Sequence, residues 1–305
     1  MISALHHALS SPRDARFAPI DGLDAWWSVF RAEESRSASL PALAFSAGFA
    51  SDRLGWAFAS GYQCAGRALF EGAPDVPSAL CVTESAGGHP RAMQTTLLHE
   101  PDGLRLDGEK SFVTLGEFAR VLHVVARVPD GGERPTLVLV QVPSNTAGVT
   151  FTPLALPPIA PEVPHARVRF ENVRLPPEAA LPGDGYDRYV KPFRTVEDIY
   201  VMLAVTGWLL RVARSGGAER SAVETLSALA VTLGGLAREA PSDPAVHVAL
   251  AGALPRVDEA IRHVEPCWAK LGATHRERWE RDRPLLAVAS KVREARRDRA
   301  HERLR

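Results

Sequence analysis

Residues 81–96, CVTESAGGHPRAMQTT, bring together side chains suited to ligand contact. Behind a short apolar entry stand three threonines (Thr83, Thr95, Thr96), Glu84, His89 and the adjacent glycines Gly87 and Gly88. A threonine hydroxyl both donates and accepts at fixed reach, and paired glycines let backbone amides approach a bound group with no side chain in between. The plain alternative is a threonine-rich strand end followed by a glycine turn. Cysteine chemistry is not indicated. Cys64, Cys81 and Cys267 lie far apart, with no CxxC pair and no histidine at ligand spacing, so neither a disulfide framework nor a metal site is expected.

The elements that must position this stretch change character twice along the chain. Up to about residue 77 the pattern is helical. Trp26, Trp27 and Phe30 fall in one short segment, and Leu54, Phe58, Gly61, Ala65 and Leu69 recur every three or four residues from Asp52 to Phe70, so one face of that helix should be buried. From Ser78 to about Gly185 come short runs rich in Val, Leu, Phe and Thr: SALCVTE, TTLLHE, LRLDG, SFVTL, ARVLHVVARV, TLVLVQV, GVTFTPL and ARVRFENVRL. Turns are expected at PDG (101–103) and PDGG (129–132), and the alternation of Val168 and Phe170 with Arg167 and Arg169 gives one strand a wet face. After Pro192 the helical period returns in RTVEDIYVMLAVTGWLLRVAR and continues to the C-terminus. The expected layout is an α+β multidomain chain: an N-terminal helical domain (1–77), a middle, mostly antiparallel β domain (78–185) and a C-terminal helical bundle (186–305).

Three segments, in order, resemble the acyl-CoA dehydrogenase family. CVTESAGGHP looks like that family's flavin-contacting segment, usually Thr-Glu-Pro followed by Gly-Ser-Asp. DGLRLDGEKSFVTLGEFARVLHVVARV is similar to the next stretch, with its Gly-x-Lys, its aromatic-x-Thr pair and the strand beyond. VRFENVRLPPEAALPGDGY looks like the exit from the β domain. The resemblance spans roughly residues 79–211 and implies a shortened, divergent member.

By this resemblance the chain would be an FAD-dependent oxidoreductase that desaturates a CoA-type acyl thioester at Cα–Cβ. Such a reaction needs a bound flavin and a base for the α-proton. Thr83 would meet the flavin's polar edge, with the backbone of Cys81, Val82 and Thr83 alongside the ring; Gly88 and His89 would belong to the same segment. Phe112 and Thr114 match the aromatic-x-Thr pair, the aromatic near the ring and the threonine near N5. Aligning FRTVEDIYVMLAVTG on the branch that carries its base on the first helix after the β domain puts Glu197 in that role, ten residues before Gly207. The alternative for Glu197 is a solvated acid in a helix's first turn. His165 and Arg194 are candidates for substrate contact, although Arg194 could equally join Lys191 and Asp198 in a charged network at the helix start.

The sequence departs from the family pattern in three ways. His89 and Pro90 stand where Ser and Asp are expected. No Arg-x-x-Phe-Gly or Gln-x-x-Gly-Gly-x-Gly is visible, and Gly234–Gly235 sits in a helical context. The helical domains look short. A second reading is therefore a non-catalytic protein of the same fold, acting as a partner subunit or ligand-binding module. The resemblance implies a homodimer or other homo-oligomer, or a hetero-oligomer with a related subunit, with the electron acceptor unspecified.

Composition sets wider bounds. With 305 residues, 46% of them hydrophobic, and 36 basic against 36 acidic side chains, the chain can bury a sizeable core and has no overall charge to attract nucleic acid or an acidic membrane. The longest apolar run, Ile199 to Leu210, is well short of the roughly 20 residues that cross a bilayer, and the N-terminus lacks a secretory pattern, so a cytoplasmic location is expected. In the arginine-rich tail, Pro284 suggests a helix start and Leu285, Val288 and Val292 an apolar stripe. Its arginines would either meet phosphates of FAD or CoA or form a solvated face balanced by Glu294, Asp298 and Glu302.

Overall fold

A computed structural model describes every residue except 13–16, 71, 73, 74, 130–134, 156 and 157. The turn expected at PDGG falls largely outside the described residues. By contacts the chain forms two compact units, one of residues 1–68, 158–162 and 195–305, the other of residues 69–157 and 163–194. The first is helical and the second is built on a sheet. The expected order of helices, strands and helices holds.

The helical unit begins with α1 (Ile2–Ser10), α2 (Leu23–Glu34), α3 (Leu40–Ala50) and α4 (Leu54–Leu69). The period-four reading of α4 expected one buried face, yet the helix is enclosed almost all round from Leu54 to Gly66. Trp26 stacks on Trp56 at 5.8 Å and donates its indole N–H to Ser60 Oγ at 3.0 Å, which ties α2 to α4. The long α5 (Lys191–Ser215) crosses α3 and α4 at backbone contact, because glycines stand at the crossings. A Cβ at Gly207 would overlap the Phe45 carbonyl, and one at Gly61 would lie 2.5 Å from Val201 Cα. The remaining helices are α6 (Arg220–Leu236), α7 (Pro244–Val264), α8 (Cys267–Leu271), α9 (Ala273–Asp282) and α10 (Ser290–Arg303). Gly234 and Gly235 lie inside α6.

The tail does not present the expected apolar stripe. Val288 is 76% exposed and Val292 42%, while the buried side chains of α10 are Arg296 and Ala300. The cause is Asp198 on α5. Its buried carboxylate accepts from Arg293 Nε at 2.9 Å and from Arg296 at 2.5 Å, so α10 turns its charged side inward. The network expected among Lys191, Arg194 and Asp198 is accordingly different: the guanidiniums on Asp198 come from the tail, and Lys191 faces Asp187 at 3.9 Å.

In the β unit, the eight runs resolve as seven strands: β1 (Ser78–Cys81), β2 (Thr96–Glu100), β3 (Gly103–Thr114), β4 (Val121–Val128), β5 (Thr136–Pro143), β6 (Val149–Pro153) and β7 (His165–Leu175). LRLDG and SFVTL are two parts of β3, which is interrupted by register shifts against β7. The path runs β1-β4-β2-β3-β7-β6, with β5 on the other side of β4. The β2–β3, β3–β7, β4–β5 and β6–β7 pairs are antiparallel as expected. The sheet is nevertheless mixed, because β1 and β2 both run parallel to β4. The stretch 81–96 and the β2–β3 hairpin form the crossover between β1 and β4 that a parallel pair requires.

One core position is out of keeping with its surroundings. His123 on β4 has no exposed surface, stacks on Phe70 at 4.1 Å, and leaves both ring nitrogens without a hydrogen-bond partner among the described residues. Burial pushes its pKa down to about 3. Since the unfolded value is about 6.5, the folded state binds fewer protons, and stability falls as pH drops from about 6.5 towards 3, by roughly 1.4 kcal/mol per unit. Replacing His123 with Phe keeps the stack and removes two unsatisfied nitrogens. Urea unfolding should therefore find His123→Phe more stable by about 1–3 kcal/mol at pH 7 and less acid-sensitive between pH 6 and 4 than the unsubstituted chain. A destabilised variant with the same pH slope would contradict this account.

Candidate functional site

The residues singled out in CVTESAGGHP and SFVTL meet where β1 ends beside the bulged end of β3. As the chain leaves β1, Thr83 O accepts the Ser111 amide at 2.7 Å, which fastens this segment to β3. Glu84 and Gly87 then exchange backbone hydrogen bonds of 3.1 and 2.9 Å, closing a tight turn in which Gly87 has φ 97°. Gly88 lies close to Val82 and Thr83: a Cβ there would be 3.6 Å from Val82 Cγ1 and 3.8 Å from Thr83 Oγ1. The Thr83 hydroxyl has no hydrogen-bond partner among the described residues.

Beneath this segment lies an ion pair whose role the sequence did not reveal. Lys110 has no exposed surface. Its ammonium donates to Glu84 Oε1 at 2.7 Å and to the Val82 carbonyl at 3.4 Å, and it lies against Met93 Sδ. The Glu84 carboxylate also accepts the backbone amides of Gln94 (2.7 Å) and Thr95 (3.1 Å). Burial pushes the Glu84 carboxyl up, but Lys110 and these amides together hold it below the usual carboxylate range. For Lys110, burial outweighs the pull of Glu84 and lowers the ammonium's pKa. The signal was available in the alternation of β3. Leu104 and Leu106 point inward, and Lys110 has the same parity.

Beyond Lys110 the register against β7 shifts before Val113. Phe112, inside this bulge, takes a left-handed backbone at φ 56° and is 54% exposed. A bulky residue at positive φ is uncommon, and an exposed phenyl ring gains nothing by burial to offset it. Two residues on, Thr114 is buried and pairs in register with His165, their Oγ1 and Nε2 being 3.4 Å apart. His165 Nδ1 lies 3.1 Å from the Val163 carbonyl. Burial lowers the pKa of His165, so the ring is neutral at pH 7. A carbonyl only accepts, hence Nδ1 carries the proton, Nε2 accepts from the Thr114 hydroxyl, and the Thr114 oxygen keeps its lone pairs for another donor.

The other candidates take different places. The Cys81 thiol is buried and its pKa is pushed up to about 12 by burial, so only the backbone of Cys81 could serve a ligand. His89 is exposed, and its Nδ1 accepts the Arg91 amide at 3.2 Å, capping the short turn Pro90–Ala92. Arg194 is exposed near the start of α5. Glu197 is half-buried on α5, in the part of that helix belonging to the helical unit. Among the described residues no group of three His, Cys, Asp or Glu side chains is placed to hold a metal ion, and no helix is long and apolar enough to cross a membrane.

Residues 79–173 match the acyl-CoA dehydrogenase middle domain family. No curated protein sequence matches the chain. Among solved structures, an FAD-dependent dehydrogenase superposes with a TM-score of 0.70 at 16% identity, over 99% of this chain and 97% of its own. The acyl-CoA dehydrogenase from Geobacillus kaustophilus gives 0.66 at 14% identity, over 98% and 92%. The prolyl acyl carrier protein oxidase AnaB gives 0.65 at 14% identity, over 99% and 97%. At these identities the likeness shows the fold alone. Residues 79–173 are thus similar to the acyl-CoA dehydrogenase middle domain, and the chain as a whole carries the acyl-CoA dehydrogenase fold.

The strain at Phe112 separates packing from ligand contact. If the ring is there for a ligand, Phe112→Gly should leave stability unchanged or raised, within about 1 kcal/mol, because relief of the left-handed backbone offsets the loss of a half-exposed ring. Urea unfolding measures this. A loss of 2 kcal/mol or more would show that the ring's role is in the fold.

Proposed function

We propose that this chain is an FAD-dependent oxidoreductase that desaturates a CoA-type acyl thioester between Cα and Cβ. The observation that carries the reading is the end of β3, where an exposed aromatic ring is held at φ 56° between two fastened threonine-bearing segments. The groups there suit a planar heterocycle with a polar edge. Thr83 offers a hydroxyl with no hydrogen-bond partner among the described residues, Phe112 an exposed ring, and Thr114 an oxygen already oriented by His165. FAD, when bound, supplies the hydride acceptor of such a reaction.

Glu197 is the proposed base. Asp198, the neighbouring acid on α5, is already engaged by two guanidiniums of the tail helix. Glu197 is half-buried on a long helix packed at backbone contact, which suits a base that must hold a fixed position. His165 and Arg194 are proposed for substrate contact, His165 as a neutral imidazole and Arg194 as an exposed cation. The same reading implies a homodimer or an assembly with a related subunit.

Purified protein should be yellow, or become so on reconstitution with FAD, with the absorption bands of bound flavin. Colourless protein that takes up no FAD overturns the proposal. With flavin bound, anaerobic addition of a suitable acyl-CoA should bleach it. Glu197→Gln should slow that bleaching by about 10²–10⁴-fold while leaving the oxidised spectrum in place; unchanged bleaching would assign the base elsewhere.

A further inference from the structure

We propose that the buried Glu84–Lys110 ion pair is the positioning element of the flavin-edge segment, setting the conformation of Val82–Thr83–Glu84 and with it the direction of the Thr83 hydroxyl. The inference rests on the reading of this corner of the β unit as a flavin site.

A lysine at an inward position of a strand needs acceptors for all its N–H groups. Lys110 finds them in Glu84 Oε1, the Val82 carbonyl and the Met93 thioether. Desolvating both charges is costly, and an apolar pair of similar volume generally fills such a space at equal or better stability. Packing alone therefore does not account for the two charges. What they do, and an apolar pair could not, is hold backbone. Val82, Gln94 and Thr95 lie outside the strands, so the Val82 carbonyl and the Gln94 and Thr95 amides have no strand partner to satisfy them. Lys110 takes the Val82 carbonyl, and Glu84 takes the amides of Gln94 and Thr95.

The fastenings converge on one residue. Thr83 lies between Val82, held by Lys110, and Glu84, held by Lys110 and by the amides of Gln94 and Thr95; its own carbonyl is held by Ser111, the neighbour of Lys110. Five hydrogen bonds thus hold the groups on both sides of a side chain whose hydroxyl has no hydrogen-bond partner among the described residues. Lys110 also stands immediately before the bulge that exposes Phe112. With no exposed surface, it is a positioning residue for both sides of the site.

The test uses the full chain and the double variant Glu84→Gln/Lys110→Met, which removes both charges and changes volume little. Three quantities are measured: the thermal midpoint of the flavin-free protein, the Kd for FAD by fluorescence titration, and the visible spectrum and midpoint potential of the bound flavin. The proposal expects a midpoint within a few degrees of the unsubstituted chain, at least tenfold weaker FAD binding, and a shifted spectrum or potential. A variant that is folded and binds FAD within twofold of the unsubstituted chain overturns it. Should the double variant not fold, Glu84→Asp keeps both charges but shortens the reach to the two amides. FAD binding weakened severalfold then supports the proposal, and unchanged binding overturns it. Unsubstituted protein that binds no FAD overturns the functional reading and this inference together; loss confined to the variants separates the two.

Discussion

An ammonium group with no exposed surface must find every acceptor it needs inside the protein, and the candidate site is arranged around that requirement at Lys110. The acceptors come from the chain leaving β1 and from the connection that follows, which brings Glu84 and Met93 under β3 and draws the Val82 carbonyl towards it. The irregular stretch between β1 and β2 is thereby held without a ladder of its own. Thr83 and Gly88 sit on this support, and Phe112 and Thr114 continue from it along β3. A ligand site built on irregular backbone is as rigid as the groups beneath it, and here those groups are a buried charge pair.

The helical unit solves a similar problem by shape. Gly48, Gly61 and Gly207 let α5 lie against α3 and α4 at distances no side chain would permit. Close crossing over this length leaves the helix little freedom to shift. At its other face Asp198 draws the tail helix in through Arg293 and Arg296, so a segment of high arginine content becomes part of the packing of α5. Glu197, one residue before Asp198, is thus carried by a helix fixed on both sides.

Local pattern made much of this legible in the sequence. Alternation and turn residues marked the strands, spacing at three and four marked α4 and α5, and ordered motifs pointed to Thr83, Phe112 and Thr114. What escaped depends on pairings between distant parts of the chain. The parallel partnership of β1 with β4 follows from a crossover of some forty residues, and no local signal distinguishes it from a hairpin. The tail read as an apolar stripe because Asp198, 95 residues before Arg293, supplies the charge that reverses its orientation. Lys110 could have been found: its parity with Leu104 and Leu106 places it inside, but a lysine in a strand is ordinarily assigned to the wet face.

The substitution of His89 and Pro90 for the family's Ser and Asp takes on a physical meaning in this setting. Pro90 opens a short turn without needing a hydrogen bond at its own nitrogen, and His89 Nδ1 accepts the amide of Arg91, the next donor along. The turn is therefore satisfied by its own residues and holds out no Arg91 amide to a bound group. It ends at Met93, buried against the Lys110 ammonium. A loop that satisfies itself and anchors the residue beneath the ion pair contributes support rather than contact. On the proposed reading the polar contacts to a ligand would fall to Thr83 and Thr114, whose hydroxyl oxygens retain bonding capacity among the described residues.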